Sequence, residues 1–395
     1  MSGLAPLAGH HEIRRALASA IAEQRLPAAL LLAGPAGVGK QRIALWLGQM
    51  LLCERPGTEP CGTCRACRLS LRLEHPDLHW FFPLPRPKGV SSPEKLGDAL
   101  EEARAAELEA RRADPYYVND PGDLVGIYLA HAQVIRRMAA SRPAMGSHKV
   151  FIIGDAEALV PQEASPEAAN ALLKLFEEPP TSTTIIVTAA EPDALLPTIR
   201  SRLRAVRVQA LPEGDVAKFL ADVKAVDGEH ARRVARLSGG SIGRALGFLG
   251  EGGENGEGGP LEAARTRARA ALEAATAPSP VQRYVASLAQ PPAGARGDYA
   301  TLLDFLTVWL RDLAAVATGA PETVVNVDAL AWLAERARAL PAPDAPLAAI
   351  ALVDEALRLT QFNINPQLGL NQLLRELHRT LVGRKRELAG VRGAD

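Results

Sequence analysis

Two clusters in this chain combine residue types and spacings that can do chemistry. The first lies in Leu30-Leu-Leu-Ala-Gly34-Pro-Ala-Gly37-Val-Gly39-Lys40-Gln41. Glycines at 34, 37 and 39 free backbone N–H groups to wrap a phosphate at the start of the following helix, and Lys40 supplies the charge. An ATP-cleaving loop continues with Ser or Thr, whose hydroxyl holds Mg²⁺ between the β- and γ-phosphates. Here that residue is Gln41. The second metal-side group should be an Asp closing an apolar strand, but Lys149-Val-Phe-Ile-Ile153 runs into Gly154-Asp155-Ala156-Glu157. In one alignment Gly154 stands in for the metal-holding Asp, and Asp155 for the Glu that polarises water. Shifted by one residue, Asp155 takes the metal role and Ala156 the base's place. Either way one carboxylate is missing, and two independent losses argue against hydrolysis by this chain. The glycines and Lys40 could still hold phosphates, so binding without cleavage stays open.

The second cluster is Cys53-x7-Cys61-x2-Cys64-x2-Cys67, which contains all four cysteines of the chain. Four thiolates this close suit a tetrahedral Zn²⁺ ion, and Pro56, Gly57, Pro60 and Gly62 bend the chain around it. With four protein ligands no position is open, so the expected role is structural. A redox pair or an iron–sulfur cluster would use the same residues, with no further feature in its support. Cysteine confined to one local site is expected of a cytoplasmic protein without a disulfide framework.

The elements that must position these groups follow from pattern and composition. The 395 residues suffice for two or three domains, and 45 basic residues balance 45 acidic ones. No global field therefore recruits nucleic acid or an acidic membrane. No signal peptide or membrane span is expected. Short apolar runs at Ala29–Ala33, Leu78–Phe82, Lys149–Ile153, Thr184–Thr188 and Ala205–Val208 read as strands buried on both faces of a parallel sheet. Residues 1–210 then form an α/β phosphate-loop core carrying the cysteine module at 53–67. Pro83-Leu-Pro-Arg-Pro-Lys-Gly opens a surface insertion over about 83–122, with a charged helical stretch from Glu94 to Arg112. Residues 211–249 read as a small helical domain, 250–260 as a glycine-rich flexible linker, and 261–395 as all-helical. In that last part Leu302, Leu306, Trp309, Leu313 and Val316 recur at helical spacing, as do Leu370, Leu374, Leu377 and Leu381.

Several stretches together resemble the AAA+ clamp-loader family of the bacterial DNA polymerase III holoenzyme, most its delta-prime branch, over nearly the whole chain. They are Leu7-Ala-Gly9 and Gln24-Arg25-Leu26-Pro-Ala-Ala-Leu before the loop, and the cysteine module after the loop's helix. The most specific is Ala168-Ala-Asn170-Ala-Leu-Leu-Lys174-Leu-Phe-Glu177-Glu178-Pro179-Pro180. Leu196-Pro-Thr-Ile-Arg200-Ser201-Arg202 resembles the run ending in the family's Ser-Arg-Cys, with Leu203 replacing Cys. Ser238-Gly-Gly-Ser241-Ile-Gly243-Arg244 resembles the second-sensor region, and Asn363-Ile-Asn365-Pro366-Gln367-Leu368 a late family signature.

The resemblance implies a helical lid, a C-terminal helical collar and a hetero-oligomeric ring. The expected partners are the motor subunits (gamma or tau) and delta, the sliding clamp and primed DNA. It implies that Arg202 is an arginine finger for a neighbouring subunit's ATP, and that Arg244 is a sensor, vestigial without a live site. The first-sensor position falls on Ala189 or Ala190. With Gln41 and Gly154, these departures degrade the chain's own site and spare the arginine, which separates it from a motor subunit.

Other features read more plainly. Ser165 can cap the helix that Pro166 begins, and Glu177-Glu178 sit at that helix's end. Arg384-Lys385-Arg386 is a solvated tail, and His10, His11 and His75 show no ligand spacing. Two alternatives to a non-hydrolysing ring subunit remain: a motor subunit with atypical nucleotide chemistry, and a zinc-module DNA-binding adaptor that uses no ring.

Overall fold

The computed structural model describes the chain except residues 1–3, 5–6, 91, 115, 117–124, 160–165, 251–257, 291–295, 361–363 and 384–395. It divides into two compact units, Met1–Leu246 and Gly247–Asp395. In chain order the first unit starts α1 (His11–Ala22), β1 (Ala29–Ala33), α2 (Lys40–Leu52), α3 (Arg65–Leu71) and β2 (Leu78–Phe81). The insertion supplies β3 (Leu84–Pro85), α4 (Pro93–Ala113) and β4 (Val125–Gly126). Then come α5 (Leu129–Ala140), β5 (Lys149–Ile153), α6 (Glu167–Glu177), β6 (Thr183–Ala189), α7 (Pro197–Arg200) and β7 (Arg204–Arg207). The short helices α8 (Glu213–Lys224), α9 (Gly228–Ser238) and α10 (Ile242–Phe248) follow without strands.

The five apolar runs form one parallel sheet in the order β2-β5-β6-β1-β7. The central strands β1, β5 and β6 are covered on both faces, and alternate side chains go to opposite layers,. The run at Ala205–Val208, expected to be buried on both faces, is instead the edge strand β7, Arg204–Arg207, which is mostly exposed. Leu30, Leu32, Val150, Ile152 and Ile186 join the core built with α2. Leu31, Phe151, Ile153, Ile185 and Val187 join the core built with α5 and α6. Since all five strands are parallel, the ends of β1 and β5 lie on one edge, which brings the glycine loop beside Gly154-Asp155. Arg204, which opens β7, pairs with Leu30 near the start of β1. The residues before β7 therefore sit at the opposite edge.

Two further sequence expectations are corrected. The stretch after Pro83 is more than a surface insertion: Leu84 and Leu100 are buried, and α4 lays Arg104 over Phe81 and Arg111 over Trp80 and Phe82. A guanidinium can cover an aromatic face while its stem packs, so a charged helix pattern conceals a packed one. At α6 the cap position belongs to Pro166 itself, with helix from Glu167; Ser165 lies outside the described residues.

The second unit comprises α11 (Pro260–Thr276), α12 (Pro280–Leu288), α13 (Arg296–Ala317), α14 (Leu330–Arg338), α15 (Ala345–Leu359) and α16 (Pro366–Val382). Leu302, Leu306, Trp309 and Leu313 of α13 and Leu370, Leu374, Leu377 and Leu381 of α16 are buried, as their spacing predicts; Val316 is only partly so. The late Asn-Pro signature has a local cause. Asn365 Oδ1 accepts from the N–H groups of Gln367 and Leu368, and Pro366 takes the first helical position of α16,. Asn363, the glycine-rich residues 251–257 and the basic tail lie outside the described residues. Among the described residues no helix is long and apolar enough to cross a membrane.

Candidate functional site

The glycine loop has the backbone of a phosphate cradle, with left-handed φ at Gly37 (72°) and Gly39 (100°), where α2 begins. Its polar groups, however, are engaged within the chain. Lys40 Nζ donates to the carbonyls of Gly34 and Pro35, each at 2.8 Å, and the side chain is buried. Burial pulls the Lys40 pKa below its usual value, against the attraction of Asp155 and Glu157,. His10 Nε2 donates to Val38 O at 2.7 Å. The loop is also roofed: Gly243 N–H donates to Gly37 O at 3.0 Å, and a Cβ on Gly37 would lie 2.4 Å from Ser241 Oγ. Ser241 Oγ in turn accepts from Arg244 N. The stretch 241–244 thus packs directly on the loop, and a Cβ at Gly243 would lie 3.0 Å from Gly37 Cα, which accounts for that glycine sterically,.

Gln41 accounts for both departures in the metal-side chemistry. Its Nε2 donates to Asp155 Oδ2 at 2.7 Å, and its Oε1 accepts from Trp80 Nε1 at 3.0 Å. A Cβ added at Gly154 would meet Gln41 Oε1 at 2.7 Å and Cδ at 2.8 Å. The end of the Gln41 amide thus stands where a Cβ at 154 would go, so the two departures lie in direct steric contact. It is Asp155, not Gly154, that presents a carboxylate to residue 41. Asp155 adopts φ 46°, and its N–H donates to Thr188 Oγ1. Burial raises the Asp155 pKa, with Lys40, Arg111 and the Gln41 hydrogen bond pulling the other way. Glu157 is raised by burial too, and its Oε1 accepts from Ala190 N.

Sequence reasoning missed Trp80, His10, Thr188 and Arg111. Trp80 connects Gln41 to α4, where Arg111 lies 4.4 Å above the indole and pairs with Glu107 at 2.9 Å. Tyr116, just past α4, stacks edge-on against Phe219 of α8 and lies under Lys224 Nζ at 4.4 Å. The insertion thereby connects β2 to the short-helix region.

The four cysteines come together as expected. Their Sγ atoms all lie within 4.8 Å of one another, with Cys61 and Cys67 at 3.9 Å. Backbone N–H groups of Arg55 and Cys61 point at Cys53 Sγ, that of Cys64 at Cys61 Sγ, and that of Cys67 at Cys64 Sγ. The amides of Cys64 and Thr63 hold the Cys61 thiol down at about 5, whereas burial and the neighbouring sulfurs push Cys67 up. Four converging sulfurs, three of them facing backbone N–H groups, fit a bound cation, which would favour the thiolate form of every ligand,. Cys53, Cys61, Cys64 and Cys67 could thus hold one metal ion. The module is anchored to the loop's helix: Trp46 Nε1 donates to Glu59 Oε2 at 2.7 Å, and Arg14 pairs with Glu59.

Arg202 sits past α7 at the edge of the sheet opposite the loop. Its Nε donates to Glu177 Oε2 at 3.0 Å and its Nη1 to Thr198 O at 2.9 Å, leaving the side chain 31% exposed. The β1 strand separates the two levels by about 15 Å, at about 3.3 Å per residue. Glu177 ends α6, as read, but it also orients Arg202 from 25 residues away, which no local pattern signals.

Residues 9–212 match the family model described as "DNA polymerase III, delta subunit". DNA polymerase III subunit delta' of Pseudomonas aeruginosa is 36% identical over 175 residues, covering 44% of this chain and 40% of that protein. The subunit delta' of Escherichia coli K12 is 31% identical over 219 residues, 55% of this chain and 53% of the relative. Subunit gamma/tau of Mycobacterium tuberculosis is 28% identical over 223 residues, 56% of this chain but 31% of the relative. The matches thus span about half, or less, of these relatives' length. Among solved structures, the Bacillus subtilis DNA clamp loader delta protein aligns over 93% of this chain and 99% of its own at 12% identity, with a TM-score of 0.28. The match across residues 9–212 and the delta' relatives agree: this chain belongs to the DNA polymerase III delta-subunit family and is most similar to its delta-prime members.

Proposed function

We propose that this chain is a non-hydrolysing member of a clamp-loader ring and lends Arg202 to the ATP bound by a neighbouring motor subunit. One asymmetry carries this reading. The chain's own loop is filled by Gln41, Lys40 and the roof at Gly243, whereas Arg202 is half-exposed at the far edge, beyond reach of that loop. A planar, permanently charged guanidinium suits the charge spread over phosphoryl oxygens in the transition state. Such fingers are worth about 10³–10⁵ in rate, or about 4–7 kcal/mol at about 1.36 kcal/mol per decade. Glu177 and Thr198 hold the side chain near one orientation, which lowers the cost of ordering it when a neighbour docks.

In this reading the helices of 211–249 are the lid, residues 250–260 link it to the collar of 261–395, and the collar holds the ring. Delta and the gamma or tau subunits are the ring partners, and the sliding clamp and primed DNA are what the ring acts on. The cysteine cluster holds a structural Zn²⁺ that cross-links the segment after α2. The filled loop disfavours an atypical motor, and no basic run favours a free-standing DNA adaptor. The test is ATP turnover by the loader reconstituted with clamp and primed DNA, comparing wild type with Arg202→Ala. Cleavage at the adjacent site should fall about 10³-fold with ring assembly intact by sedimentation. Unchanged cleavage would remove the finger and leave only scaffolding.

A further inference from the structure

Helix α12 of the second unit is built inside out. Val281, Tyr284, Val285 and Leu288 recur at i, i+3, i+4 and i+7, the spacing of a core-facing stripe. Yet they are 64%, 56%, 58% and 49% exposed. The residues α12 turns inward are polar: Arg283 and Ser287 are buried. That inner seam is pinned by specific bonds, so the outward stripe is no accident of a loosely held helix. Arg283 Nη1 donates to Ala277 O at 2.6 Å and lies 3.1 Å from His378 Nδ1 of α16. Ser287 Oγ donates to Tyr284 O and accepts from Asn371 Nδ2 of α16. Gln367 Nε2 donates to the carbonyls of Leu288 and Gln290.

Beside the stripe lies a cavity of about 320 Å³, lined by Pro280, Tyr284, Asn371, His378, Arg375 and Arg379 among others. Arg375 and Arg379 stand one turn apart on α16, both exposed. Among the described residues no carboxylate lines the cavity. An apolar ridge beside two exposed guanidinium groups has a definite complement. Its apolar half excludes a bare nucleic-acid backbone as the full match, and its basic half excludes a purely apolar helix. The stripe is one helix long, which suits a helix laid in a groove more than a whole domain face.

We propose that the α12–α16 face of this chain is a docking site for an acidic amphipathic helix of a protein partner. The partner's apolar stripe covers Val281, Tyr284, Val285 and Leu288, and its carboxylates reach Arg375 and Arg379. This needs only the second unit's surface and stands whether or not Arg202 acts as a finger.

The probe is a fluorescein-labelled synthetic helix of about three heptads, with leucines at i, i+3, i+4 and i+7 flanked by glutamates. It is titrated by anisotropy into the full chain, beside the same peptide with lysines for glutamates and a duplex DNA of similar length. The glutamate peptide should bind saturably at about 10 μM, and the lysine peptide should not. Tyr284→Ser and Arg375→Glu/Arg379→Glu should each weaken binding about tenfold, without shifting the melting temperature, because all three residues are exposed. The arginine-to-glutamate variant should gain affinity for the lysine peptide. No saturable binding, equal binding of both peptides, or loss of binding to competing duplex DNA would each overturn the proposal. Concentration-dependent self-association abolished by Tyr284→Ser would assign the face to a second copy instead.

Discussion

The two edges of the parallel sheet carry the same kind of equipment and have been treated in opposite ways. At the edge where β1 and β5 end, Lys40 is held by loop carbonyls, Asp155 by Gln41 and the Gly37 carbonyl by Gly243. At the other edge Arg202 bonds, among the described residues, to Glu177 and Thr198 and keeps part of its side chain available to solvent. The contrast teaches that a glycine loop can have its polar groups bonded within the chain while keeping the backbone of a phosphate cradle. Gln41 bonds to Asp155 and stands against Gly154. Under the proposed function, a group that serves another molecule has to keep the exposure that Arg202 keeps.

The sharpest way to break the comparison is at the open edge. Arg202→Lys keeps the charge but loses the planar fork, so it should fail to rescue. Cleavage at the neighbouring site should fall about 10³-fold, or about 4 kcal/mol. Glu177→Gln should fall much less, because it loosens the arginine without removing it. A lysine variant with full activity would show that any cation at 202 suffices.

Metal removal should act on the filled edge alone. The cysteine module follows α2, the helix that the glycine loop opens, and Glu59 ties it to Trp46. Stripping the metal, or Cys67→Ser, should cost about 3 kcal/mol, or about 6–12 °C in melting temperature. Hydrogen exchange should rise in α2 and α3 and stay unchanged around α6 and α7. About one zinc per chain by elemental analysis is the accompanying expectation; metal-free protein of full stability would leave the cysteines without a structural ion.

The contact between Gln41 and Gly154 predicts a non-additive pair,. Gly154→Ala places a Cβ where the Gln41 amide stands and should cost about 1–3 kcal/mol, read as a shift in denaturant midpoint. In a Gln41→Ala background the same change should cost little. The cycle should close with an interaction of about 1 kcal/mol or more. Additive effects would mean that the two positions changed for separate reasons.

What the sequence made legible, and what it hid, follows the range of the interactions. The central strands β1 and β5 are readable because both faces are buried, so each is a mostly apolar run; Ala29–Ala33 and Lys149–Ile153 match to the residue, whereas the edge strand β7 is Arg-Ala-Val-Arg and mostly exposed. The cysteines are readable because their ligand spacing is local. The links from Gln41 to Asp155 and Trp80 span 114 and 39 residues, and that from Arg202 to Glu177 spans 25. No periodicity reports contacts of that kind. The stretch from Glu94 to Arg112 misleads for another reason: Arg104 and Arg111 look solvated in a pattern, yet they lie over Phe81, Trp80 and Phe82.

The smallest expected effect tests whether the filled edge is stable because of Asp155's charge or despite it. Burial raises the Asp155 pKa above its ordinary value, and Lys40, Arg111 and Gln41 offset only part of that cost. A carboxyl whose folded pKa is raised binds its proton more tightly in the folded state. Its contribution is therefore fully favourable below the ordinary aspartate range and is lost as pH rises through the folded value. Asp155→Asn keeps an oxygen to accept from Gln41 Nε2 and removes the buried charge. The variant should be slightly more stable than wild type at pH 7, and the gain should shrink as pH falls into the ordinary carboxylate range. Chemical denaturation at a series of pH values reads this directly. An asparagine variant less stable at neutral pH would mean that the Lys40–Asp155 attraction outweighs desolvation, so that the edge retains the electrostatics of a working site.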